Sequence, residues 1–160
     1  MPDPISGNHL CMINSMTGVG RRGAGRPSLG DRAIMTATLP AIVQRAADAA
    51  AADHGVDRTA VLTDILCCHY GRHDLMRHLP QQLIFETSRP TTTLSEGDRR
   101  IGPHVKVRPP RAVADVIGLE YQQLGIERST FLADIVCLHM GYPELIRDTG
   151  VQKEGLPLAM

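Results

Sequence analysis

Apolar and polar positions along this chain change rhythm twice in the same order: strict alternation first, then two successive stretches of three-and-four spacing. Pro103-His104-Val105-Lys106-Val107-Arg108-Pro109 alternates, with Val105 and Val107 on one face and His104, Lys106 and Arg108 on the other. That period predicts a half-buried strand. Ala33 to Leu39 is a weaker counterpart, with Met35 and Ala37 inward and Ile34, Thr36 and Thr38 outward. A proline follows each run, where its missing N–H suits the first turn of a helix. A helix is expected over Pro40 to His54, with Ile42, Val43, Ala46, Ala49 and Ala50 on its inner face. In the later stretch Val113, Val116, Ile117, Tyr121 and Leu124 keep the same amphipathic spacing. Gly55 and Gly125 stand where a helix C-terminus takes a left-handed residue. A second helix starts near Asp57 in one stretch and near Glu127 in the other. Asp57 is a good N-cap and Glu127 a poor one, so Ser129 is expected to share the capping. Val61, Leu62, Ile65 and Leu66, matched by Phe131, Leu132, Ile135 and Val136, form the most continuous apolar stripe and the best core candidates.

The two stretches are copies of one unit. Gly55-Val56-Asp57-Arg58-Thr59-Ala60-Val61-Leu62-Thr63-Asp64-Ile65-Leu66-Cys67 aligns without a gap on Gly125-Ile126-Glu127-Arg128-Ser129-Thr130-Phe131-Leu132-Ala133-Asp134-Ile135-Val136-Cys137. Pro40, Val43, His69, Gly71, Leu75 and Arg77 recur as Pro110, Val113, His139, Gly141, Leu145 and Arg147. A constant offset through apolar, glycine and polar positions alike indicates duplication. The expected organisation is a flexible basic leader (1–32), a first unit (33–78), a linker rich in Pro, Thr and Ser (79–101), a second unit (102–148) and a C-terminal tail (149–160). Each unit is too short to bury a generous core alone, so the two are expected to share one, with each other or with a second chain.

Composition narrows the picture. With no Trp, two Phe and three Tyr, the core must be aliphatic and alanine-rich. The formal net charge is zero, so any affinity for an anionic partner depends on where charge is concentrated. Arg99, Arg100, Lys106, Arg108 and Arg111 form such a concentration around the second alternating run, with no acid between Arg99 and Arg111. In the leader, Arg21, Arg22, Arg26 and Arg32 are basic, and Gly25-Arg26-Pro27 suits an extended arm entering a narrow minor groove; a solvated leader is the alternative. Cys11, Cys67, Cys68 and Cys137 do not form a disulfide framework, which points to a reducing, cytoplasmic setting. No run resembles a signal peptide or reaches membrane-spanning length, and no membrane partner is expected.

A strand attached to two helices has no partner within its own copy, and two copies remove the difficulty if their strands pair antiparallel. The expected fold is mainly α with a short two-stranded antiparallel ribbon on a four-helix core, a pseudo-dimer in one chain. The strand endings Leu39-Pro40 and Pro109-Pro110, the two glycine turns and the aliphatic second helices together resemble the ribbon-helix-helix family of Arc- and methionine-repressor-like proteins, in tandem form. The leader Gly25-Arg26-Pro27-Ser28-Leu29-Gly30-Asp31-Arg32 and the ending Glu154-Gly155-Leu156-Pro157-Leu158 resemble actinobacterial antitoxin-type members. The resemblance implies that the ribbon enters the major groove of double-stranded DNA. The implied base contacts are Thr36, Thr38, His104, Lys106 and Arg108, with Ile34 doubtful. The implied phosphate contacts, at the second-helix N-termini, are Arg58, Thr59, Arg128 and Ser129. Arg21, Arg22 and Arg26 are the candidate minor-groove arm. The expected role is a sequence-specific regulator, a transcriptional repressor or autoregulating antitoxin. A cognate toxin and a second copy of the chain, pairing into a dimer of pseudo-dimers, are compatible further partners.

Two other readings compete. One is a protein-interaction module, an antitoxin without strong DNA binding, whose leader or Tyr142-to-Met160 region folds over a toxin; a role in plasmid or phage DNA processing is its neighbour. The other is a metal site at Cys67, Cys68, His69 and His73, weakened because Leu138 and Pro143 replace Cys68 and His73 in the second copy. A buried Cys in an aliphatic stripe is more often packing. No phosphate loop, carboxylate pair or nucleophile motif points to an enzyme, and no cofactor, metal or catalytic residue is expected.

Overall fold

The computed structural model describes residues 30–79 and 93–147. Its elements follow the duplicated order: β1 (Met35–Ala37), α1 (Ala41–His54), α2 (Arg58–His69), a 3-10 turn at His73–Leu75, a short α3 (Glu96–Arg99), β2 (Val105–Val107), α4 (Arg111–Leu124), α5 (Arg128–His139) and a 3-10 turn at Pro143–Leu145. β1 and β2 pair antiparallel, with Met35 opposite Val107, Thr36 opposite Lys106 and Ala37 opposite Val105. Single bridges, Arg32 to Pro110 and Pro40 to Ile101, continue the ribbon at both ends. The chain is a tandem ribbon-helix-helix arrangement with four main helices. The antiparallel pair satisfies the backbone N–H and C=O groups that a lone strand would leave open.

Each strand lies on the other unit. β1 packs on α5 and β2 on α2, while α2 and α5 pack on each other between the flanking α1 and α4. The inward ribbon residues Met35, Ala37, Val105 and Val107 are buried against Leu62, Ile65, Leu66, Leu132, Ile135 and Val136. Burying one such aliphatic side chain is worth about 1.5 to 3 kcal/mol, so the shared interior is what neither unit could build alone. Every residue from Val61 to Cys68 is buried, and so is every residue from Phe131 to Cys137. These helices are covered on all sides rather than along one stripe.

Local chemistry sets the helix ends. Gly55 and Gly125 take φ of 64° and 68°, the left-handed region, and close α1 and α4. Asp57 accepts from the Ala60 N–H at 2.9 Å and caps α2. Glu127 makes no side-chain cap on α5. Ser129 does not supply the missing cap, because it is buried and its hydroxyl donates to Glu127 Oε1 at 2.6 Å.

The flanking helices meet the sequence expectation in part. The buried residues of α1 are Val43, Ala47 and Ala51, with Ile42, Ala46 and Ala50 half-buried and Ala49 exposed. In α4 they are Val113, Ala114 and Ile117, while Val116 and Leu124 are 41% and 47% exposed. Within the stretch expected as linker, Ser95 caps α3 with a reciprocal box to Asp98, and Asp98 pairs with Arg45 of α1. Among the described residues no helix is long and apolar enough to cross a membrane.

Candidate nucleic-acid interface

The ribbon's two faces have opposite characters because side chains alternate along a strand. The inward face is sealed into the core. Continuing the register outward, Ile34 faces Arg108, Thr36 faces Lys106 and Thr38 faces His104. Ile34, His104, Lys106 and Arg108 are exposed, and Thr36 and Thr38 are half-exposed. All five predicted base-contact side chains, together with Ile34, therefore share one surface strip two residues wide. Ile34, 66% exposed, is the apolar member of that strip.

The helix N-termini beside the strip are unequal. On the first-unit side, an open cleft of about 830 Å³ separates the ribbon from the start of α2, lined among others by Arg32, Thr59, Ala60, His78, Lys106 and Arg108. Lys106 and Arg108 from the ribbon and the start of α2 converge there, a combination that favours an anion, although the Asp57 carboxylate that caps the helix lines the same cleft. Arg58 is turned elsewhere: its Nη1 lies 3.2 Å from both carboxylate oxygens of Asp48 on α1. On the second-unit side Arg128 is exposed at the start of α5, while Ser129 is buried and engaged with Glu127. The four predicted phosphate residues thus divide into Thr59 in a basic cleft, Arg128 in solvent, and Arg58 and Ser129 occupied within the protein. Arg21, Arg22 and Arg26 lie outside the described residues.

Backbone bonds tie the ribbon ends to the helices beneath. The Arg108 N–H donates to Thr63 Oγ1 at 3.3 Å and the Thr38 N–H to the Ser129 carbonyl at 3.5 Å. Arg32 Nη1 donates to the Arg108 carbonyl at 3.2 Å, and Arg147 Nη2 donates to the Thr38 carbonyl at 2.9 Å. Of the predicted basic concentration, Arg111 is paired with Asp31 at 3.1 Å, while Arg99, Arg100, Lys106 and Arg108 are exposed.

Sequence reasoning missed three arrangements. Asp64 and Asp134, identical under the repeat, are buried carboxylates that hold the segment after each 3-10 turn. Asp64 accepts from the N–H groups of Arg77, His78 and Leu79, and Asp134 from that of Arg147 at 3.0 Å. An acid repeated in both copies inside an apolar stripe was the available signal. His69 and His139 meet, Nδ1 to Nε2 at 2.9 Å. Burial pushes both imidazoles below their usual range, His139 to about 4 with His69 beside it. Arg147 was visible as the repeat of Arg77, but nothing local predicts its reach to Thr38.

The three cysteines among the described residues belong to the interior, and Cys11 lies outside those residues. Cys67, Cys68 and Cys137 are buried, and burial pushes the Cys67 thiol up to about 11 and the Cys137 thiol up to about 12. Raised in this way, both thiols hold their protons more tightly than an exposed cysteine does. His69 is turned to His139 rather than to a cysteine, and no group of three metal-ligating side chains occurs among the described residues.

Compared with protein-family models, curated proteins and solved structures, the chain matches none of them.

Proposed function

We propose that this chain is a sequence-specific double-stranded DNA-binding regulator that reads the major groove with its two-stranded ribbon, acting as a transcriptional repressor or autoregulating antitoxin. The carrying observation is the exposed strip of Thr36, Thr38, His104, Lys106 and Arg108 on a ribbon whose other face is wholly buried. A two-stranded ribbon fits the width of the major groove, and arginine and lysine donate to guanine O6 and N7. The basic cleft at α2 offers a place for a backbone phosphate beside the ribbon. Zero net charge is no obstacle, because Lys106 and Arg108 are exposed side by side on this strip with no acid among its outward residues. Because the strands differ in every outward residue, the preferred site lacks a palindrome.

Titration with random duplex DNA at two salt concentrations, followed by selection from a random pool, tests the reading. A steep salt dependence and a recovered preferred sequence are expected. Arg108→Ala should weaken binding to that sequence by about 1 to 3 kcal/mol and relax preference at one base pair. Unchanged affinity and preference in that variant would remove the ribbon as reader. The exposed Val116 and Leu119 on α4 favour a second reading as a protein-interaction module. Under that reading, generic DNA binding would be weak and nearly independent of salt.

A further inference from the structure

The repeat makes Thr38 and Arg108 equivalent positions, and only one of them carries a cation. In three dimensions the deficit is filled from elsewhere. Arg147 Nη2 lies 2.9 Å from the Thr38 carbonyl and 3.1 Å from Thr38 Oγ1, so its guanidinium rests on an outward atom of the ribbon strip. At the opposite end Arg32 Nη1 holds the Arg108 carbonyl. The two ribbon ends are thus each met by a guanidinium, supplied by residues that the repeat does not relate. Arg77, the true counterpart of Arg147, is exposed, and its guanidinium makes no hydrogen bond among the described residues.

Arg147 is also held in place. Its backbone N–H donates to the buried Asp134 carboxylate at 3.0 Å, and its Nε lies 3.9 Å from the same oxygen. The side chain remains 31% exposed, and its Nη1 donors take no protein acceptor among the described residues. A guanidinium fixed in this way loses little freedom on meeting a ligand. Thr38 Oγ1, accepting from Arg147, keeps its own proton to donate.

We propose that Arg147 is a base-reading residue, which together with Thr38 recognises a guanine edge in the half of the DNA site that faces the β1 end of the ribbon. This rests on the ribbon being the DNA-reading face. Guanine offers O6 and N7 side by side: an open Nη1 donor of Arg147 matches one of them and the Thr38 hydroxyl, which keeps its proton, matches the other. The threonine strand would then read sequence through a side chain borrowed from the far end of the second unit.

The test compares Arg147→Gln with Arg77→Gln and Arg108→Ala, each by selection from a random duplex pool and by titration with the selected sequence. Arg147→Gln is expected to bind about 10-fold more weakly and to lose preference at one base pair, on the opposite side of the site centre from the pair relaxed by Arg108→Ala. Arg77→Gln is expected to select and bind as the unsubstituted chain does. Selection of an unchanged sequence by Arg147→Gln, or a uniform loss across all sequences, would overturn the proposal. A second measurement needs no variant: 7-deazaguanine, which lacks the N7 acceptor, is placed at each guanine of the selected site. One position in the half opposite to that of Arg108 should lose about 10-fold in affinity, and an insensitive half would overturn the proposal. If the unsubstituted chain selects no sequence at all, it is the DNA-binding reading that fails. If Arg108→Ala behaves as expected while the Arg147 half is insensitive, only the present inference fails.

Discussion

The contact between His69 and His139 shows how duplication turns one side chain into a pair. The repeat places identical imidazoles at the ends of α2 and α5, and the crossing of those helices brings them to 2.9 Å. One ring must donate and the other accept, so both can be neutral, while two imidazolium ions would repel. Tyr70 stands edge-on to His69 and donates to Glu120 Oε2 at 2.6 Å, and that carboxylate partly offsets the burial of His69. His139, with its pKa pushed down to about 4, resists protonation in the folded chain. Above pH 6.5 the imidazole is neutral in both states and its contribution is full. Between about 6.5 and 4 the unfolded chain takes up a proton that the folded chain refuses, so stability falls as pH falls. The loss across that window should be on the order of 3 kcal/mol, seen as a falling melting temperature. His139→Gln should flatten that fall, and curves that stay parallel for the two chains would refute the assignment. The identity of these residues was plain in the sequence, whereas their meeting depended on a helix crossing that no local pattern encodes.

The helices illustrate where pattern reading works and where it loses contrast. Caps are local chemistry, so Gly55, Gly125 and Asp57 were legible as such. Asp57→Ala should cost about 1 kcal/mol in urea unfolding, whereas Asp57→Asn, which keeps an acceptor at the same place, should change stability by only a few tenths. Equal losses in the two variants would point to charge rather than cap geometry. On the inner face of α1 Ile42, Val43, Ala46 and Ala50 lie against the core as expected, whereas Ala49 is exposed and Ala47 and Ala51 are buried instead. A run of alanines offers little apolar-to-polar contrast, so the helix's rotation against α2 decides which of them go inside. In α4 the spacing of Val116 and Leu124 fits an amphipathic stripe, yet both remain exposed because the core beneath is already filled by Val113, Ala114 and Ile117. The eight-residue buried run in α2 has the complementary cause. Contacts from α1, the ribbon and α5 cover even Thr63 and Asp64, which no hydrophobic stripe would include.

At the scale of the whole molecule, each strand rests on the opposite unit, so the interior is common property of the two copies. A core closed within one chain should unfold with a midpoint that does not move over about a 100-fold range of protein concentration. A midpoint rising with concentration would show instead that two chains complete the core. The sequence by itself determined the duplication, the strand, helix, helix order, the turns and the polar edge of the second strand, because each follows from spacing or from the conformational preference of single residues. Only the tertiary structure decided that Arg58 is spent on Asp48, that Ser129 is buried, that Asp64 and Asp134 hold the segments beyond their helices, and that Arg147 arrives beside Thr38. Those outcomes join residues distant along the chain, and such pairings are set by how packed helices lie across one another rather than by the period of any one segment.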